Sequence, residues 1–339
     1  VTYNLGFRIT GPCTEARKLI DWPTAFAAYA ALDDRAEVNR ESYLSAFCFG
    51  DDFAAHLKRT GSTAGFNGPT WAPFAWWDID RDDPAEALDA TRRLLGTLVD
   101  RYGADDDSAL VFFSGRKGLH VGLHTSLWAP TPGPTFHETT KRFAIHAAQL
   151  AGITIDVGTY ARVQAFRAPN SKHPRTGRHK RRLTIAEAMG LRIERIIELA
   201  ETPEPFDVPT PTATSSTAAG DWTAAAEAVN TEAVARRSGP QRDRLNRATL
   251  DFIRDGAATG DRHRLTYSAA ANLAELGAPL GLAFALLESA ALDCGLPPID
   301  TRRAIENGWA SQTGRIGEVC NAVGGIVLDV RRGEGGAHE

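Results

Sequence analysis

The convincing strand patterns of this 339-residue chain fall in its first 160 positions, and beyond about 222 only helical patterns are found. Four runs are short, apolar and rich in β-branched or aromatic residues: FAWWDID at 74–80, ALVFFS at 109–114, LHVGLH at 119–124 and GITIDV at 152–157. Apolar residues recur at helical spacing from 84 to about 101 and from 136 to about 151. That mixture predicts an α/β or α+β domain of the catalytic type. From about 243 onward alanine and leucine keep a helical period, broken at Gly256, Gly260, Gly277, Gly295 and Pro297–Pro298, with Asp261 and Asp300 as expected N-caps. A separate all-α bundle is the expected second domain. Between the two, PEPFDVPTPTATSSTAAGD at 203–221 loses every period and reads as a linker. The expected division is therefore a catalytic domain at 1–202, a linker at 203–221, a helical domain at 222–330 and a disordered tail at 331–339.

Composition narrows the classes. Thirty-eight basic against 42 acidic residues give a net charge of −4, which excludes a polycation or an acidic solvating chain. Cys13, Cys48, Cys294 and Cys320 never form a Cys-x-x-Cys pair, which argues against a disulfide framework and a zinc ribbon and for a reducing cytoplasm. No apolar run approaches the roughly 18 residues of a membrane span, and the segment from Val1 carries no basic-then-apolar export signal, so no membrane partner is expected. Met189 is the only methionine, from which a trimmed chain or a non-standard start codon is expected. There is no internal repeat and no Gly-x-x-x-x-Gly-Lys-Ser/Thr, hence no fused ATPase motor in this sequence.

Three segments carry chemistry. In FAWWDID, strand alternation places Phe74, Trp76, Asp78 and Asp80 on one face, and two acids at a strand end suit hard divalent cations such as Mg2+ or Mn2+. The bland reading is a turn cap plus a solvated acid; Asp83, followed by Pro84, reads as an N-cap, and Asp82 as solvated. VFFSGRKGLHVGLH at 111–124 reads as strand, glycine-bearing turn, strand. Leu119, Val121 and Leu123 take the core face, and His120, Gly122 and His124 the other. Ser114, Arg116, Lys117 and His120 then converge with turn amides on an anion such as a nucleoside triphosphate tail, while His124 reads as structural. Asp156 closes the apolar run at 152–157 and is positioned to be a third carboxylate. From 157 to 186 there are six arginines and two lysines and no acid, an electrostatic footprint for phosphates in which Arg175, Arg178, Lys180, Arg181 and Arg182 are candidate DNA contacts. All of this precedes Glu201, so a fragment ending near Pro205 is expected to hold it.

Asp-x-Asp, then SGRKGLHV, then a lone Asp after an apolar run resembles the archaeo-eukaryotic primase superfamily. The run containing Tyr160, Arg167, Pro169, Asn170, Ser171 and Lys172 is similar to the bifunctional primase-polymerases of plasmids, phages and other mobile elements. The resemblance covers about 20–190. It implies an α+β catalytic core on an RRM-like sheet, copying a DNA template with two Mg2+ or Mn2+ ions. Asp78, Asp80 and Asp156 match the metal-binding catalytic acids, and Ser114 and His120 the nucleotide-phosphate motif. Arg116, Lys117, Arg167 and Lys172 match phosphate or template contacts. The segment at 260–277 resembles the helical domain that follows many such cores. Implied partners are single-stranded template, primer-template DNA, nucleoside triphosphates and a separate replicative helicase. His173 and His179 lack cysteine companions, so no structural zinc is expected. Rival readings are a repair or gap-filling polymerase of the same fold, a metal-dependent nucleotide-sugar transferase, and a non-catalytic origin-binding module. SGRKGLH and the third acid disfavour the transferase, which would also leave the basic run without a polyanion.

Overall fold

The computed structural model describes residues 2–238 and 244–322, and the chain divides into two units, Val1–Arg236 and Arg237–Glu339. The architecture is α+β, with two four-stranded antiparallel sheets in the first unit and helices alone among the described residues of the second.

One sheet has the order β2-β1-β3-β7, from β1 (Leu5–Thr10), β2 (Lys18–Asp21), β3 (Ser42–Ser45) and β7 (Ala165–Arg167). The other runs β4-β6-β5-β8, from β4 (Phe74–Asp80), β5 (Ala109–Phe113), β6 (Gly118–His124) and β8 (Arg181–Leu183). Helices α1 (Trp22–Ala30), α2 (Asp51–Thr60), α3 (Pro84–Tyr102), α4 (Phe136–Leu150), α5 (Ile185–Gly190), α6 (Ile193–Leu199) and α7 (Ser216–Ser238) complete the unit. The expected start of α3 holds in detail: Pro84 occupies its first turn, and the Asp83 carboxylate accepts from the Ala85 amide. In β6, Leu119, Val121 and Leu123 are fully buried on the core face. In β4, Trp77 packs on Phe143 of α4 and donates from Nε1 to the Ala144 carbonyl at 2.9 Å.

Two expectations fail here. GITIDV forms no strand. Its Asp156 amide donates to the Asp78 carbonyl at 2.9 Å, but the Thr154 carbonyl is taken by the Arg81 guanidinium at 2.9 Å, so a side chain competes with any ladder. The segment at 203–221 is not a free linker. Phe206 inserts between Phe26 and Phe112, with ring centres 6.4 and 5.4 Å away, and its amide donates to the Ala30 carbonyl at 3.0 Å. Asp221 and Trp222 then dock α7. Asp221 accepts from Arg101 at 2.7 and 2.8 Å and from the Tyr102 hydroxyl at 2.8 Å. Trp222 packs on Phe136 and Trp128 at 5.1 and 5.8 Å. A few aromatics in a proline-rich segment are enough to bury it, because proline lowers the entropy lost on ordering.

The second unit contains α8 (Arg247–Asp255), α9 (Arg262–Glu275), α10 (Leu280–Asp293) and α11 (Pro298–Ala322) around Phe252, Leu273, Leu287 and Ile305. It begins at 237, not 222, because α7 packs with the first unit. Gly256 caps α8. Asp261 stands at the N-cap position of α9 but its carboxylate accepts from Arg264 instead, and Asp300 lies within the first turn of α11. A Cβ on Gly308 would overlap the Tyr267 carbonyl, so that glycine lets α11 approach α9 closely. The expected tail at 331–339 lies outside the described residues.

Candidate active site

The register of β4 against β6 couples the first two motifs. Asp78 faces His120, and Asp80 faces Gly118. A Cβ on Gly118 would overlap the Asp80 carboxylate. The second glycine of SGRKG therefore makes room for the second acid of the Asp-x-Asp pair. At the turn, the Ser114 amide donates to the Gly118 carbonyl at 2.9 Å, and the Gly118 amide donates to Ser114 Oγ at 3.2 Å. Gly115 has φ +89 and is packed beneath the Arg178 and His179 carbonyls, a conformation that favours glycine. Asp156 reaches the site as the cap of a short 3₁₀ turn, Val157–Tyr160, accepting from the Gly158 amide at 2.8 Å. Two bonds seat that turn beside β4: Asp156 amide to Asp78 carbonyl, and Tyr160 hydroxyl to Trp76 carbonyl at 2.5 Å.

The opposite wall comes from the other sheet. Phe166 of β7 lies 4.5 Å from the His120 ring. The Arg167 guanidinium sits 5.0 Å from the Tyr43 ring centre and donates to its hydroxyl at 3.2 Å. The result is an open cleft of about 220 Å³ lined by Asp78, Asp80, Asp156, Ser114, Arg116, Lys117, His120 and Arg167 together with Tyr43, Thr159, Gln164, Ala165, Phe166 and His173. All three expected acids and five of the six expected nucleotide contacts thus share one volume.

Electrostatics follow from this packing. Burial, and then the charges of Asp80 and Asp156, push the Asp78 carboxyl up to about 7. Its Oδ1 is buried without a hydrogen-bond partner, and His120 Nε2 stands 3.4 Å from it. Burial, Lys180 and Arg167 drive the His120 pKa well down, so this imidazole is neutral. His173 is lowered to about 4 by burial and by Arg167, Arg116 and Arg175. Lys117 Nζ lies 4.0 Å from Asp80 and 3.5 Å from Asp82. Among the described residues no three His, Cys, Asp or Glu side chains are already gathered as a metal cluster; the acids line one cleft without closing on a point. Even so, an orphaned buried carboxylate oxygen beside two further carboxylates is the donor chemistry that a hard divalent cation satisfies.

The basic run is redistributed. Lys172 is half-buried and outside the cleft lining, its amide bonded to the Arg40 carbonyl at 3.1 Å. Lys180 is buried and cannot meet a DNA backbone, because its Nζ is enclosed by Trp76, Phe112 and Phe166. Arg181 is buried against Glu204. Arg182 bonds Asp106 and the Ala109 carbonyl, both at 3.1 Å. Arg175 is exposed and Arg178 half-exposed, leaving these two as surface cations of the five DNA candidates. His124 is structural as expected, accepting from the Ser126 amide at 3.2 Å. Tyr43, Thr159 and Gln164 join the lining without a sequence signal of their own: Tyr43 comes from the other sheet, and nothing local marks it.

Among the described residues no helix is long and apolar enough to cross a membrane. No family model and no curated protein matches the chain. It is similar to a solved crystal structure of primase RepB′, with a TM-score of 0.33 and 13% identity over 95% of this chain and 94% of that one. A likeness that low adds nothing to the site geometry, on which the functional reading rests.

Proposed function

We propose that the chain is a template-directed nucleotidyltransferase that synthesises primers on single-stranded DNA and extends them. The observation that carries this reading is the convergence of Asp78, Asp80 and Asp156 with the Ser114–His120 turn and the cations of Arg116, Lys117 and Arg167 on one open cleft. Carboxylates flanked by cations suit a metal-bound polyphosphate, whose negative charge the cationic side chains and the metal ions held by the carboxylates would share.

Asp78, Asp80 and Asp156 are the residues that would hold two Mg2+ or Mn2+ ions. When bound, such ions supply charge stabilisation to the attacking and leaving oxygens of a phosphoryl displacement. Arg116, Lys117 and Arg167 balance the triphosphate, and the neutral His120 offers an N–H to a phosphate oxygen without adding charge. Positioning of this kind, rather than covalent chemistry by the protein, supplies most of the catalysis in phosphoryl transfer. The order of the three motifs, which resembles the archaeo-eukaryotic primase superfamily, supports the same activity, and the run from Tyr160 to Lys172, similar to mobile-element primase-polymerases, points to plasmid, phage or related replication, alongside a separate helicase.

The test is incorporation of labelled nucleotide on circular single-stranded DNA with no primer. Product from the wild-type chain is expected. Asp78→Ala, Asp80→Ala and Asp156→Ala are each expected to lose at least about 100-fold, since even loss of groups behind a metal ligand commonly costs 10 to 100-fold. Asp83→Ala is expected to keep activity and lose about 1 kcal/mol of stability with its helix cap. Near-normal incorporation by Asp78→Ala, with magnesium and manganese tried separately, sinks the reading. Extension from an added primer without unprimed product replaces it with gap filling or repair.

A further inference from the structure

Lys180 belongs to the basic run by sequence but not by position. Only 1% of it is exposed, and it does not line the cleft. Its Nζ donates to the Arg167 carbonyl at 2.8 Å. The same Nζ lies 4.3 Å from the ring centre of Phe166, 4.8 Å from that of Phe112 and 5.2 Å from that of Trp76. Phe166 and Arg167 belong to β7 in one sheet, Trp76 and Phe112 to β4 and β5 in the other. One side chain therefore bridges both walls from behind.

Burial drives the Lys180 pKa well down, and desolvating its nitrogen carries a cost that the surrounding aromatic faces return only in part. An apolar side chain of equal length would fill the space without that cost, so packing alone gives no reason for a lysine. What the amino group adds is direction. It grips a carbonyl at Arg167, whose guanidinium stands over Tyr43 in the cleft, and the ring of Phe166, which also packs on His120 at 4.5 Å and on Trp76 at 5.2 Å.

We propose that Lys180 is a positioning residue: by holding Phe166 and the Arg167 carbonyl against Trp76 and Phe112, it fixes β7 over the β4–β6 face and thereby sets where Arg167 and His120 stand in the cleft. The functional part of this rests on the cleft being a nucleotide site. The mechanical part does not.

Lys180→Met keeps a stem of similar length and removes the hydrogen-bonding nitrogen. Three measurements are made on the full chain: amide hydrogen exchange across 165–168, where the Ala168 amide donates to the Ser42 carbonyl at 3.0 Å; affinity for a non-hydrolysable deoxynucleoside triphosphate; and the salt dependence of single-stranded DNA binding. The variant is expected to fold, to exchange about tenfold faster in that segment, and to bind the triphosphate about tenfold or more weakly, as other losses behind a binding group do. Its salt slope should match wild type, since every phosphate-binding cation is still in place. A folded variant with wild-type exchange, or with faster exchange but wild-type triphosphate affinity, overturns the proposal. So does a reduced salt slope, which would make Lys180 a direct phosphate contact. If Lys180→Met does not fold, Phe112→Leu loosens the same enclosure without touching the cleft lining, and the same three outcomes apply. Failure of the wild-type chain itself to bind triphosphate would remove the nucleotide reading, and exchange would then decide alone whether Lys180 grips β7.

Discussion

Asp78 pays for its position in the absence of a cation. With its carboxyl at about 7 in the fold against about 4 in an unfolded chain, the folded form keeps a proton over that interval which the unfolded form releases. Stability from this group is therefore present at low pH and lost as pH rises through 4 to 7. Asp78→Asn is expected to raise the stability of metal-free protein by about 2 to 4 kcal/mol at pH 8, and by almost nothing at pH 4. Thermal melts at the two pH values check this; equal gains at both would mean that the charge is not the cause. The arginines of the basic run separate in the same way. Arg175→Ala with Arg178→Ala should flatten the salt dependence of single-stranded DNA binding by about 0.7 for each phosphate left unpaired. Arg181→Ala and Arg182→Ala should leave that slope alone and cost about 0.5 to 1.5 kcal/mol, because each removes a largely buried guanidinium with its bond to the exposed Glu204 or Asp106. A slope altered by Arg181→Ala would contradict its burial.

The β4–β6 ladder is the element on which the site depends. Gly118 stands opposite Asp80, and a methyl group there would displace the carboxylate, a movable side-chain end, more readily than the backbone. Gly118→Ala is therefore expected to melt within a few degrees of wild type yet to lose about tenfold or more in Mn2+ affinity and nucleotide incorporation, by analogy with other losses of ligand orientation. Unchanged Mn2+ affinity, measured by titration calorimetry, would show that Asp80 does not need that space. The 3₁₀ turn at Val157–Tyr160 does for Asp156 what strand alternation does for Asp78, but through two bonds to neighbouring carbonyls instead of a ladder.

Across the whole molecule, the boundary of the first unit decides which fragment can work. A cut near Pro205 removes Asp221 and Trp222 and uncovers Trp128, Phe136 and Phe143, on which the indole packs. It also removes the Phe206 ring on Phe26 and Phe112, or leaves it at a frayed end. A fragment ending at 236 is expected to fold and to extend annealed primers. The fragment ending near 205 is expected to be less stable by at least about 3 kcal/mol, the scale of removing one large aromatic side chain. Equal denaturation midpoints for the two fragments would show that α7 is not structurally part of the first unit.

Sequence by itself determined what depends on neighbours along the chain. A period of two sends Asp78 and Asp80 to one face and Leu119, Val121 and Leu123 to the other; the Ser-Gly turn sets Ser114 and His120 a strand apart; Asp83-Pro84 starts a helix. These follow from backbone geometry and survive in any tertiary context. What distant segments pack together was decided only by the folded structure. Tyr43 and Phe166 meet the acids because a second sheet faces the first. Asp156 arrives on a turn instead of a strand because Arg81 takes the Thr154 carbonyl. Lys180 leaves the surface because Trp76, Phe112 and Phe166 enclose it, and Arg181 and Arg182 turn to Glu204 and Asp106; burial is a property of the covering chain rather than of the buried residue. A run of eight cations is visible in one dimension; which of them face solvent is not.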